Sequence, residues 1–184
     1  MTVQRPVDEW LRQLDSELKS MVMGSITFAV RTLEDDRLDW MGQQMGQAAV
    51  IAVQIKWAAQ LNEAFEEEDG LSELALATEH HRKANIRLLR TDVPRPVWDL
   101  CTTLSLIDLH HESILATLIE TQACSPGAFE CVRQLRYSLE LELGGGAVVL
   151  LTIAHSTAKY GNDYLGITGR LAPTPATPRQ HLSI

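Results

Sequence analysis

A phosphate loop, a paired-cysteine motif and a long apolar run are all missing from these 184 residues. The three cysteines, Cys101, Cys124 and Cys131, form no CxxC pair, which disfavours a zinc ribbon or a redox dithiol. Irregular thiol spacing suits a reducing, intracellular compartment. The first ten residues contain no apolar signal core. The longest apolar run, 48–53, falls far short of a membrane span. A net charge of −8, with no basic stripe interleaved with aromatics, disfavours a nucleic-acid partner. Gly144-Gly-Gly146 is followed by Ala-Val-Val-Leu rather than by the lysine a phosphate loop needs, and reads as a turn.

What is present is the composition of a globular chain, 45% apolar and 22% charged, long enough to bury a core. Val7, Trp10, Leu11, Leu14, Leu18, Met21 and Val22 recur at three- and four-residue spacing and predict an amphipathic helix from Pro6 to about Leu33. A second helix is expected over 38–68, apolar almost all round at 48–59 and therefore buried between neighbours. Glu66-Glu-Glu-Asp-Gly70 would end it as a solvated acidic loop with a left-handed glycine cap.

A third helix is expected over 71–89, and Val93-Pro-Arg-Pro96 breaks the chain after it. The fourth, 97–122, would turn Leu100, Leu104, Ile107, Ile114, Leu115, Leu118 and Ile119 to a core. Ser125-Pro126 opens a shorter fifth helix carrying Phe129, Val132, Leu135, Arg136 and Leu139. Residues 147–154 are rich in β-branched side chains and read as a strand, and a proline-rich tail follows. The fold class is therefore mainly α, an elongated bundle of about five helices with a short C-terminal β segment.

Chemistry-bearing groups are few. His80-His81 on the third helix and His110-His111-Glu112 on the fourth would share one metal, with Glu79 near by and Asp108 orienting a ligand, if those helices were antiparallel neighbours. His110 and His111, however, point about 100° apart on a helix, and no His-Glu-x-x-His pair occurs. Surface or capping histidines are the preferred reading, so no metal ligand and no catalytic residue is assigned. Cys101 and Cys131 are expected to pack as small apolar groups. Trp10, Trp57 and Trp98 fall in apolar stripes as core anchors, and Trp40, in a polar stretch, is the candidate for an interface.

Several segments occur together in one order. Val7-Asp-Glu-Trp-Leu11 comes first, then Met45-Gly-Gln47 leading to Gln54-Ile-Lys-Trp57, then Leu106-Ile-Asp-Leu-His110. Phe129-Glu-Cys-Val-Arg-Gln-Leu-Arg-Tyr137, Tyr160-Gly-Asn-Asp-Tyr-Leu-Gly166 and the 170–179 loop with Thr174-Pro175 complete the series. This series resembles the part of dynein heavy chains where the linker ends and the first AAA+ module begins. It departs from that pattern at Met45 (usually proline), Cys131 (tryptophan), Ser138-Leu139 (Tyr-Trp) and Asn162 (tyrosine).

The resemblance implies a helical linker subdomain at 1–143, a Gly-rich turn and strand at 144–157, and the incomplete start of an AAA+ module at 158–184. It implies a linker–ring junction at Gln134, Arg136, Tyr137, Tyr160, Tyr164, Gly166 and Arg170, with Leu171, Thr174 and Pro175 beside the adenine pocket. In that family a Gln-Leu-Arg-Tyr helix leads into the strand. The linker is a mechanical lever across an ATP-driven ring, so this stretch would be non-catalytic and would carry no cofactor of its own, ATP and Mg belonging to the full-length motor. Its partners would be the rest of the heavy chain and the AAA+ ring, with intermediate chains, light chains and microtubules reached only through the whole motor. Neither nucleic acid nor membrane is implied. The expected location is cytoplasmic and cytoskeletal, a cilium or flagellum axoneme included. The rival reading is a free-standing helical interaction protein that binds dynein subunits.

Overall fold

The computed structural model describes residues 7–33, 37–123, 125–142 and 145–166. Six helices and a small antiparallel sheet make the described chain mainly α. The helices are α1 (Val7–Thr32), α2 (Arg37–Met41), α3 (Gly46–Ala64), α4 (Gly70–Leu88), α5 (Arg95–Glu120) and α6 (Phe129–Val132). The strands are β1 (Arg136–Leu141), β2 (Ala147–Ile153) and β3 (Ser156–Lys159), paired in that order. No described helix is long and apolar enough to cross a membrane.

α3 lies at the centre. Its side chains Ala48, Ala49, Ala52 and Val53 are wholly buried, and it touches α1, α4, α5 and β1. Small residues let those neighbours approach closely, and the all-round apolar surface leaves no face that prefers water. One core gathers Val22, Ile26 and Ala29 of α1 with α3, Leu100 and Leu104 of α5, and Val149 of β2. A second joins Trp57 and Leu61 to Leu74, Leu115, Leu118 and Cys131.

The expected second helix is two. The chain leaves the helix at 42–45 and re-enters it at Gly46, so α2 packs on its own. Trp40 on α2 is buried, 6% exposed, and its indole N–H donates to Thr32 Oγ1 at 3.2 Å. It is a core anchor rather than an interface residue, because the hydrogen bond satisfies its polar edge. Trp57 is buried as expected, but Trp10 and Trp98 are 55% and 38% exposed. Trp10 lies in the first eleven residues of α1, all of them exposed, and Trp98 stacks under the Arg95 guanidinium at 5.0 Å. Ile119 also faces solvent rather than the core.

The acidic loop at 66–69 is solvated as expected, but its left-handed residue is Asp69, with φ of 63°. Gly70 instead opens α4, where a Cβ would stand 2.5 Å from the Ala64 carbonyl oxygen. Glycine is required there by close approach of backbone, not by a left-handed cap.

The largest correction is at the fifth helix. α6 ends at Val132, and Arg136 and Tyr137 begin β1, so the Gln-Leu-Arg-Tyr run leads into a strand and is not helical. Phe129, one of the residues of the expected helix, is 65% exposed. Leu135 also faces solvent. β1 and β2 pair as an antiparallel hairpin, and next to its closed end Glu142 N–H donates to Gly146 O at 2.8 Å, while Gly144 of the expected turn lies outside the described residues. β2 occupies the expected strand, while β3 was not foreseen. The proline-rich tail lies outside the described residues.

Candidate functional site

Of the predicted junction residues, Gln134, Arg136, Tyr137, Tyr160, Tyr164 and Gly166 are described, whereas Arg170, Leu171, Thr174 and Pro175 are outside the described residues. Tyr137 and Tyr160 each pack against the first core, one from β1 and the other just past β3. Tyr160 N–H extends the sheet by donating to Val149 O at 2.9 Å. Gln134 is buried, but its Nε2 turns back to Glu130 O at 3.3 Å and caps α6. Arg136 sits opposite Thr152 on the hairpin. Tyr164 points largely to solvent, and Gly166 adopts φ of 64° at the end of the described segment. Of the predicted junction residues, Tyr137 and Tyr160 thus pack on the first core and the other described ones do not.

Sequence reasoning missed the residue that holds the segment. Gln47, in the first turn of α3, is 6% exposed and uses both ends of its amide. Nε2 donates to Tyr160 Oη at 2.6 Å and to the Asp163 carbonyl at 2.7 Å. Oε1 accepts from Leu165 N–H at 2.7 Å. An amide supplies two donors and an acceptor on one plane, so a single side chain ties residues 160–165 to the central helix. Lys19 of α1 adds a longer, exposed ion pair to Asp163 at 3.4 Å. Its ammonium pKa is raised, first by the bond to Asp15 and then by that to Asp163. Asn162 takes φ of 56° between them, a left-handed position that asparagine tolerates. The available signal was a glutamine beside the all-apolar stretch that opens the central helix, since a buried amide has to find partners.

The histidine and carboxylate candidates are occupied otherwise. α4 and α5 do pack together, yet Asp108, fully buried, accepts from Arg37 Nη1 at 3.0 and 3.2 Å and from Asn85 Nδ2 at 3.1 Å. Burial pushes the Asp108 carboxyl up from its ordinary value, and the Arg37 charge opposes that rise. Glu112 pairs with Arg82 at 2.7 Å and Glu79 with Lys83 at 2.7 Å. The His111 ring stacks on Trp57 with centroids 3.8 Å apart. Among the described residues no group of three or more His, Cys, Asp or Glu side chains is placed to hold a metal ion. Cys101 and Cys131 are buried, and burial pushes the Cys101 thiol up to about 11, so neither is set up as a nucleophile.

No protein-family model matches the chain. Curated proteins match it over nearly all its length. Dynein axonemal heavy chain 11 of Sus scrofa is 31% identical over 186 residues, covering 97% of this chain. The match is to dynein heavy chains. Dynein axonemal heavy chain 6 of Homo sapiens is 27% identical over 187 residues, and dynein axonemal heavy chain 1 of Homo sapiens 26% over 179, each again covering 97% of this chain. The chain spans 4% of the length of each of these relatives. A fragment of a dynein heavy chain would show this pattern.

Proposed function

We propose that this chain is the C-terminal part of a dynein heavy-chain linker, running into the start of the first AAA+ module. In this reading it is a non-catalytic mechanical element of an ATP-driven microtubule motor. The observation that carries the reading is the Gln47 clamp within a chain similar to dynein heavy chains end to end. The ring-proximal segment, residues 160–165, is fastened to the most buried helix of the body rather than hung from it. Displacement of that segment therefore reaches the core through hydrogen bonds and close-packed side chains. Its partners are the rest of the heavy chain and the AAA+ ring, and microtubules are reached through the whole motor. The axonemal relatives favour a ciliary or flagellar axoneme as its place of work.

The exposed apolar stripe of α1, with Val7, Trp10, Leu11 and Leu14 all uncovered, suits a helix that continues against preceding linker structure. The size of the endogenous polypeptide tests the reading, detected with an antibody against α1. A chain of several thousand residues is expected. A band at the coded 20.5 kDa would replace the linker reading with the free-standing interaction protein. The 184-residue chain is expected to bind no ATP by calorimetry, and saturable micromolar binding would contradict its non-catalytic role.

A further inference from the structure

β1 is an edge strand whose exposed side has a self-complementary pattern. Because Glu142 pairs with Gly146 through a hydrogen bond, the antiparallel alternation directs the backbone groups of Ser138 and Glu140 to β2. Tyr137, Leu139 and Leu141 direct theirs outward, and among the described residues no hydrogen bond reaches them from outside the hairpin. Such a row of open donors and acceptors is a template for another strand. Beside it runs a groove of about 510 Å³, lined by Ala58, Ala59 and Asn62 of α3 and by Arg136, Tyr137 and Leu139 of β1. The small alanines leave that space open. Arg136 Nε is buried with no hydrogen-bond partner among the described residues.

A two-fold axis through Ser138 would place Tyr137 of one strand opposite Leu139 of its mate, the two residues with outward backbone groups. The same axis would bring Arg136 opposite Glu140, twice over by symmetry. Glu140 is exposed and has no ion pair among the described residues, so each carboxylate is available to the other chain's guanidinium. Few registers of a six-residue strand are so matched in both backbone phase and charge.

We propose that a second copy of this chain pairs with the first through β1, antiparallel about Ser138, joining two hairpin sheets into one of six strands. The interface is isologous, each copy giving and receiving the same Arg136–Glu140 pair. It concerns the 184 residues themselves and does not depend on the linker reading.

Sedimentation equilibrium of the 184-residue chain, with amide hydrogen exchange at rising concentration, tests it. A reversible dimer is expected, with the Tyr137 and Leu139 amides gaining protection as it forms. Arg136→Glu or Glu140→Arg should weaken it by about tenfold or more, since each turns two attractive cross-strand pairs into two repulsive ones. The double reversal, Arg136→Glu with Glu140→Arg, should restore association. A chain that stays monomeric overturns the proposal. So does a dimer indifferent to both reversals, which would assign association to the α1 stripe. The wild-type exchange measurement stands even if a variant fails to fold.

Discussion

Replacing Gln47 by alanine removes three hydrogen bonds at once, and the structure says where the loss is felt. Each bond contributes about 0.5–1.5 kcal/mol net, so the sum is roughly 1.5–4.5 kcal/mol. The freed groups belong to residues 160–165, most of them exposed, so water can re-bond the Asp163 carbonyl and the Leu165 N–H. That places the cost near the low end, about 2 kcal/mol, and makes it local. Opening of the segment should become about thirtyfold more frequent. Native-state hydrogen exchange reads this directly as faster exchange at Leu165, with amides in the middle of α5 unchanged. Gln47→Glu should be worse than alanine, because it sets a carboxylate oxygen against the Asp163 carbonyl at the 2.7 Å now bridged by N–H. Lys19→Met, which removes only the exposed ion pair, should leave Leu165 exchange as it was. Unaltered Leu165 protection in Gln47→Ala would refute the clamp. Equal loss of protection in α5 would show that the glutamine supports the whole fold instead.

Asp108→Ala strands the Arg37 guanidinium and the Asn85 amide in the interior and should cost about 3–5 kcal/mol in urea titration. Adding Arg37→Met should recover about 1–2 kcal/mol by removing the stranded charge, and a double variant weaker than the single one would contradict this account. Gly70→Ala drives a methyl into the Ala64 carbonyl and should lower stability by about 1–3 kcal/mol, seen as a reduced melting temperature. Cys101, its thiol raised to about 11, and Cys131 should escape iodoacetamide at pH 8 in the native chain and react in urea, as peptide mapping by mass spectrometry would report.

Long periodic segments were legible. The apolar face of α5 follows one period over several turns and packs accordingly, and the all-round apolar centre of α3 is buried between neighbours. Of the α1 stripe read from Val7 to Val22, however, only Val22 is fully buried, the core contacts of that helix coming from Val22, Ile26 and Ala29. β1 was not legible, because Val132, Leu135, Arg136 and Leu139 fall at helical spacing. What decides the matter is β2, across the turn, whose even-numbered residues offer that segment a ladder and whose Val149 offers it a core. Tryptophan positions misled in both directions. An apolar stripe says which face a helix would bury, not whether anything lies there to bury it, as Trp10 shows. Of the candidate site, Tyr137 and Tyr160 were named in the sequence as junction residues, and Gln47 only as part of a matching segment, not as the residue that holds 160–165. Its role depends on contacts 113 to 118 residues away, which no local pattern records.

The placement of Gln47 in the first turn of α3 gives the molecule a defined load path. Force applied to residues 160–165 enters α3 at that turn and travels about 26 Å along the helix at the centre of the fold. It leaves at Ala64, where the backbone of Gly70 is pressed against the helix end with no side chain between. A soft, water-filled contact at either end would absorb small displacements. Here one end is a doubly donating amide and the other is backbone on backbone, so α4 and its partner α5 should move in step with the segment.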